Sequence, residues 1–259
     1  MGHRLTDRPV QGSAHTIAVD PATGMLTGIS DFRRGGRPAA LSSGTLALWD
    51  FADPAGTQLS VTRHLGDYQW SSDIAGSVTD GRDHFRIRRD SPAEPMQAYL
   101  DLREAKLTKV AVEIKITAAQ FAGLMPNEQL RITFAHGKVI PRVTARMVFG
   151  RSERHQIILR GEASAGGTSI APYVISENLQ LSRPVVIRME LDTDSDQYAI
   201  ASRELTEVDF TVHGTGRVAA KREANYLGLN ALNDFSAEKE FLEIDRVELL
   251  RLNLQKSEQ

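Results

Sequence analysis

Apolar and polar positions alternate along much of this chain. In "KVAVEIKIT", Val110, Val112, Ile114 and Ile116 take one parity, and Ala111, Glu113, Lys115 and Thr117 take the other. "PVVIRMELD" repeats the pattern, with Val185, Ile187, Met189 and Leu191 opposite Val186, Arg188, Glu190 and Asp192. "EVDFTVHG" does so through Val208, Phe210 and Val212. Successive side chains of a strand point to opposite faces, so a period of two predicts strands with one buried face. Turn-forming stretches such as "DPATGM", "TDGRD", "ASAGGTS", "DTDSD" and "HGTG" separate the runs. Many short strands punctuated in this way predict an all-β, two-sheet antiparallel sandwich of the jelly-roll kind. Helical turns are expected only in "TAAQFAGLMPNEQ", before Pro126, and in "DFSAEKEF".

The stretch "EFLEIDRVELLRLN" breaks the alternation. Leu242 and Ile244 alternate with Glu243 and Asp245, and then the phase slips so that Val247 and Leu249 are the apolar positions. A slip inside a strand predicts a β-bulge, and the stretch is read as a terminal strand crossing the core. Residues 1–40 are richer in Gly, Arg and Pro and are expected to form an N-terminal arm or edge hairpin. Residues 41–259 carry no linker and are expected to form one sandwich domain.

Composition narrows the function classes only a little. The 259 residues are 41% hydrophobic and 25% charged, which suits a globular protein. A formal net charge of -2 gives no global attraction to nucleic acid or an anionic membrane. The absence of cysteine excludes disulfides, thiolate metal sites and a cysteine nucleophile. The first residues, "MGHRLTDRPVQGSAHT", lack the apolar stretch of a secretory signal, so either a cytoplasmic location or a removed leader fits. In the second case the location would be extracellular or periplasmic.

Several stretches resemble known domains. A late "NYLGL", a short connector and "FLEIDRVEL" as the closing strand resemble the end of concanavalin A-like lectin/glucanase domains, and "ALWDFADPAG" is similar to such domains too. That resemblance spans residues 41–253. It implies two stacked, curved antiparallel sheets, with a sugar or polysaccharide often held on the concave face. The order "FRIRRD", "HQIILRG", "NYLGLNALND" also resembles the three motif strands of alginate lyases on this fold. On that likeness Arg86 and Arg88 stand at two basic positions, Gln156 and Ile157 open the second motif, and Tyr226 matches the first tyrosine of the third. Ile158 replaces the family's histidine and Leu232 its catalytic tyrosine, so a lyase would need a variant set drawn from His155, Gln156 and Tyr226.

Residue chemistry gives its own candidates. Arg86 and Arg88 share one strand face, and Arg142 and Arg146 another; placed side by side they would form a cationic surface. Guanidinium groups pair bidentately with carboxylates and sulfates, so the expected partner is an acidic polysaccharide. Trp70, polar on both sides in "GDYQWSSD", is the expected exposed sugar platform, whereas Trp49 in "LALWDF" is expected in the core. Asp192, Asp194 and Asp196 would suit calcium or a plain hairpin turn. No cofactor is required by any motif: phosphate-loop glycines, dinucleotide glycines, zinc-ligand spacing and a nucleophile elbow are all missing. The expected function is carbohydrate recognition, with a non-standard polysaccharide lyase or an interaction and assembly domain as alternatives.

Overall fold

A computed structural model describes residues 44–74, 76–87, 97–121, 129–137, 143–219, 223–232 and 241–252, with the strands 16–19 and 26–29. The chain divides into two units, Met1–Thr45 and Leu46–Gln259. In the first, β1 (Thr16–Val19) pairs antiparallel with β2 (Leu26–Ile29).

The second unit is a two-sheet sandwich. Its strands in chain order are β3 (Thr45–Trp49), β4 (Leu65–Gly66), β5 (Val78–Thr79), β6 (Phe85–Ile87), β7 (Gln97–Asp101), β8 (Lys109–Gln120) and β9 (Gln129–Ala135). There follow β10 (Val143–Arg151), β11 (Ile157–Ala163), β12 (Ile170–Ser176), β13 (Val185–Asp192), β14 (Gln197–Glu204), β15 (Thr211–Arg217), β16 (Tyr226–Leu232) and β17 (Phe241–Arg251). One sheet runs β12-β11-β10-β9-β16-β7. The other runs β15-β14-β13-β8-β17-β3-β4, with β6 also on β17 and β5 on β6. Among the described residues the only helical pieces are single 3-10 turns at Leu59–Val61 and Arg103–Ala105. The expected helical turn in "TAAQFAGLMPNEQ" is not there at its start, because Thr117–Gln120 continue β8, and Ala118, Ala119 and Gln120 pair with β17. Residues 122–128 and most of "DFSAEKEF" lie outside the described residues.

The alternating runs supply the core. Val110, Val112, Ile114 and Ile116 of β8 and Ile187, Met189 and Leu191 of β13 are buried against Leu130, Ile132 and Phe134 of β9 and Met147 and Phe149 of β10. The phase slip in β17 has a physical basis in two register shifts. Glu243 pairs with Ala118 and Ile244 with Ile116, and then Arg246 pairs with Lys115. One extra residue on each strand, Thr117 and Asp245, lets both Ile244 and Val247 face the core, and both are buried. Asp245 is itself buried and held by an ion pair with Lys115.

In "EVDFTVHG" the expected burial is reversed. Val208 is 89% and Val212 60% exposed. β15 is an edge strand, and its inward positions are glycines because other side chains already fill that space. A Cβ on Gly216 would lie 2.3 Å from the Tyr198 ring, and one on Gly214 would lie 2.6 Å from Ile170. The Tyr198 ring also lies against Gly161 of the opposite sheet, and its hydroxyl donates to the Thr168 carbonyl at 3.0 Å. Burial pushes the Tyr198 phenol up to about 12.

Candidate functional site

The six-stranded sheet sends Leu130, Ile132 and Phe134, Met147 and Phe149, and Leu227 and Leu229 into the core, so the intervening residues occupy its outer face. Register then fixes the neighbours there. One row runs Tyr99, Gly228, Thr133, Arg146, Glu162, and the next runs Gln97, Asn230, Arg131, Val148, Arg160. The two rows bring Arg131, Arg146 and Arg160 together from three adjacent strands, around the Glu162 carboxylate.

Glu162 holds two of the three. Its Oε2 accepts from Arg146 Nη1 at 3.1 Å, and its Oε1 lies 3.0 Å from Arg160 Nη2. Arg146 also reaches the Thr133 hydroxyl at 3.3 Å. Arg131 makes no ion pair among the described residues, and its Nε–H is buried without an acceptor. Burial lowers the Arg131 pKa, Arg146 and Arg160 push it the same way, and Glu162 opposes them. Beside the cluster Tyr99 donates to Gln97 Oε1 at 3.0 Å, and Gln97 lies over Gly228, where a Cβ would come within 3.0 Å of its amide nitrogen. The side chains are partly sheltered, with 13% exposure for Arg146 and 29% for Glu162. Three guanidinium groups around one carboxylate form an electropositive patch edged by amide and phenol groups, a donor set suited to carboxylate or sulfate oxygens and sugar hydroxyls.

Of the residues singled out from the sequence, Arg146 falls in this patch. Arg86 does not: β6 belongs to the other sheet, so it never comes beside Arg146. Its guanidinium lies 3.7 Å from Glu243 Oε1 and 4.4 Å from the Phe241 ring centre. Arg88 and Arg142 lie outside the described residues. Trp70 corrects the expectation of an exposed platform. It is 3% exposed and packs on Trp49 with ring centres 5.3 Å apart, because "GDYQWSSD" folds back over the β3 end of the core. Trp49 is buried as expected.

The lyase-like set is not gathered in one place. His155 and Gln156 lie in the β10–β11 turn, where Arg151 Nη2 donates to His155 Nδ1 at 2.7 Å and Gln156 Nε2 donates to Glu177 at 2.6 Å. Tyr226 pairs with Ala135, whereas the β10 end leading into that turn aligns with Gln129 and Leu232. Six residues of strand separate these positions, about 20 Å at the usual rise. Tyr226 is buried, with Arg103 packed 5.5 Å from its ring centre and Arg103 paired to Asp101 at 2.6 Å.

The aspartates form a hairpin turn between β13 and β14. Asp192 Oδ1 accepts the amides of Asp194 and Ser195, and its Oδ2 lies 3.0 Å from Lys109 Nζ. Partial burial raises the Asp192 pKa, but Lys109 and the turn hydrogen bonds outweigh it and hold the carboxyl below its ordinary value. With Asp192 committed to an ammonium, the three side chains do not converge as an oxygen cage would require. No group of three His, Asp or Glu among the described residues is arranged for a metal.

No family model and no curated protein matches the chain. Solved structures do. A xylan β-1,4-xylosidase from Bacillus halodurans C-125 matches with a TM-score of 0.52 at 10% identity, over 91% of this chain and 52% of the xylosidase. A carbohydrate esterase from Shiga toxin-encoding bacteriophage phi24B matches at 0.50 and 9%, over 81% of this chain and 99% of that one. The exoplasmic/lumenal domain of VIP36, in a form bound to Ca2+ and Man3GlcNAc, matches at 0.49 and 8%, over 74% and 88%. The sandwich has the concanavalin A-like jelly-roll fold.

Proposed function

We propose that this sandwich is a carbohydrate-recognition domain that binds an anionic polysaccharide on the outer face of its six-stranded sheet. The observation that carries the reading is the charge imbalance there: three guanidinium groups stand around Glu162, and Arg131 has no ion pair among the described residues. A chain of uronate or sulfated sugars supplies further anions at intervals. Gln97 and Tyr99 on β7, both partly exposed, offer hydrogen bonds to its hydroxyls. The xylosidase and the esterase that share the fold are both named for carbohydrate substrates, which supports the general class.

The test is electrophoretic retardation in native gels cast with alginate, pectate, heparin or neutral glucans. Retardation by one or more acidic polymers and none by the glucans is expected. Loss of the retardation in Arg131→Ala with an unchanged thermal midpoint, and in Arg146→Ala at a temperature where that less stable variant is still folded, would place the ligand on this face. Normal migration in every gel would sink the reading.

A further inference from the structure

The two sheets leave an opening where their edge strands β12 and β15 approach each other, away from the arginine face. A cavity of about 400 Å³ lies there, lined by residues that include Tyr173, Arg183, Ser202, Glu204, Glu207 and His213. Pockets of roughly 300–1,000 Å³ are the usual size for small-molecule sites. The β14–β15 ladder is irregular at this point: Ile200 pairs with Gly214 and Ala201 with Val212, so His213 is the extra residue of a bulge. Bulges re-aim side chains. Here the bulge brings His213 Nε2 to 2.7 Å from Ser202 Oγ. The Tyr173 ring stacks on the imidazole at 3.6 Å and 15°, which fixes the plane of the ring. Burial lowers the His213 pKa, so the imidazole is neutral near pH 7 and can accept a proton. At the mouth Arg183 pairs with Glu204 at 3.2 Å.

We propose that Ser202 and His213 form a nucleophile and general base in this cavity, acting on short acyl esters. In the forward step Ser202 Oγ bonds to the ester carbonyl carbon while its proton passes to His213 Nε2. The tetrahedral intermediate then breaks the bond to the alkoxide, which leaves with that proton as an alcohol. Water, deprotonated by the same imidazole, releases the carboxylic acid and restores the hydroxyl. The cavity has room for an acetyl group and part of the ring that bears it. The site is independent of the arginine face.

The experiment uses the full chain with p-nitrophenyl acetate and phenylmethylsulfonyl fluoride. Expected are hydrolysis that falls about 100-fold or more in Ser202→Ala and in His213→Phe, and sulfonylation mapped to Ser202. Hydrolysis unchanged by Ser202→Ala, or no label on Ser202, would overturn the proposal. Ser202→Cys guards against a variant that merely misfolds. It creates the sole thiol of a cysteine-free chain. If His213 takes the proton, iodoacetamide alkylates that thiol faster at pH 7 in the native than in the denatured protein. An equal or slower native rate would also overturn it.

Discussion

Replacing Glu162 by Gln separates the roles of the arginine face most sharply. The carboxylate is bonded to Arg146 and Arg160, whose side chains are 13% and 32% exposed. Breaking a fully buried pair costs about 3–5 kcal/mol, and an exposed pair is worth about 0–1 kcal/mol. The sheltered position of Glu162 puts the loss between them, at about 2 kcal/mol. For a domain of this size that lowers Tm by about 4–8 °C. Ligand affinity should move the other way. An incoming uronate carboxylate about 6 Å from Glu162 is repelled by roughly 1–3 kcal/mol, for effective dielectric constants of about 80 down to 20. Removing that repulsion should tighten binding about tenfold in low salt. Calorimetric titration with an acidic oligosaccharide, beside a thermal melt, reads both quantities. A variant that loses stability and also binds more weakly, or binds unchanged, would show that the cluster only braces the sheet.

Other expectations concern the frame. Gly216→Ala should destabilise the protein by about 1–3 kcal/mol in denaturant titration, since the added methyl meets the Tyr198 ring at 2.3 Å and the Thr168 carbonyl at 2.5 Å. Unchanged stability would mean that the Tyr198 ring can move aside. The raised Tyr198 pKa means that the folded state holds its proton longer than the unfolded chain. This contribution is intact below about pH 10, falls as pH rises, and is fully lost above about 12, a change of about 2–3 kcal/mol. Tyr198→Phe should flatten that part of the pH–stability curve, at a constant loss of about 1 kcal/mol for the hydrogen bond to Thr168. Millimolar calcium should leave the melting temperature within about a degree of that in chelator. A rise of several degrees would restore the calcium reading of Asp192, Asp194 and Asp196.

Period-two alternation is a local property, and it made the strands legible, down to the slip between Ile244 and Val247. The partners of each strand are set by long-range pairing that no local pattern carries. For that reason Arg86 could be placed on an outward face but not assigned to a sheet. The residues that join Arg146 were present in "QLRITFA" and "LRGEA", where Arg131, Arg160 and Glu162 sit between core positions. Finding them required knowing that β9, β10 and β11 are neighbours. Trp70 misled because its sequence neighbours are polar, whereas its burial comes from Trp49, 21 positions earlier. Ser202 and His213 were unreadable for a similar reason, since a bulge in an edge strand brings them together.

The paired indoles have a practical consequence for anyone studying this molecule by light. Trp49 and Trp70 are the chain's only tryptophans, and both are buried in contact with each other. Intrinsic emission therefore reports one corner of the interior, and their coupling should give a strong near-ultraviolet dichroism signal. Melting that corner would register brightly. The residue after Trp70, Ser71, donates its amide to the Tyr99 carbonyl at 2.8 Å, so the indole pair also borders the β7 end of the arginine face. A polymer settling there should register in the emission.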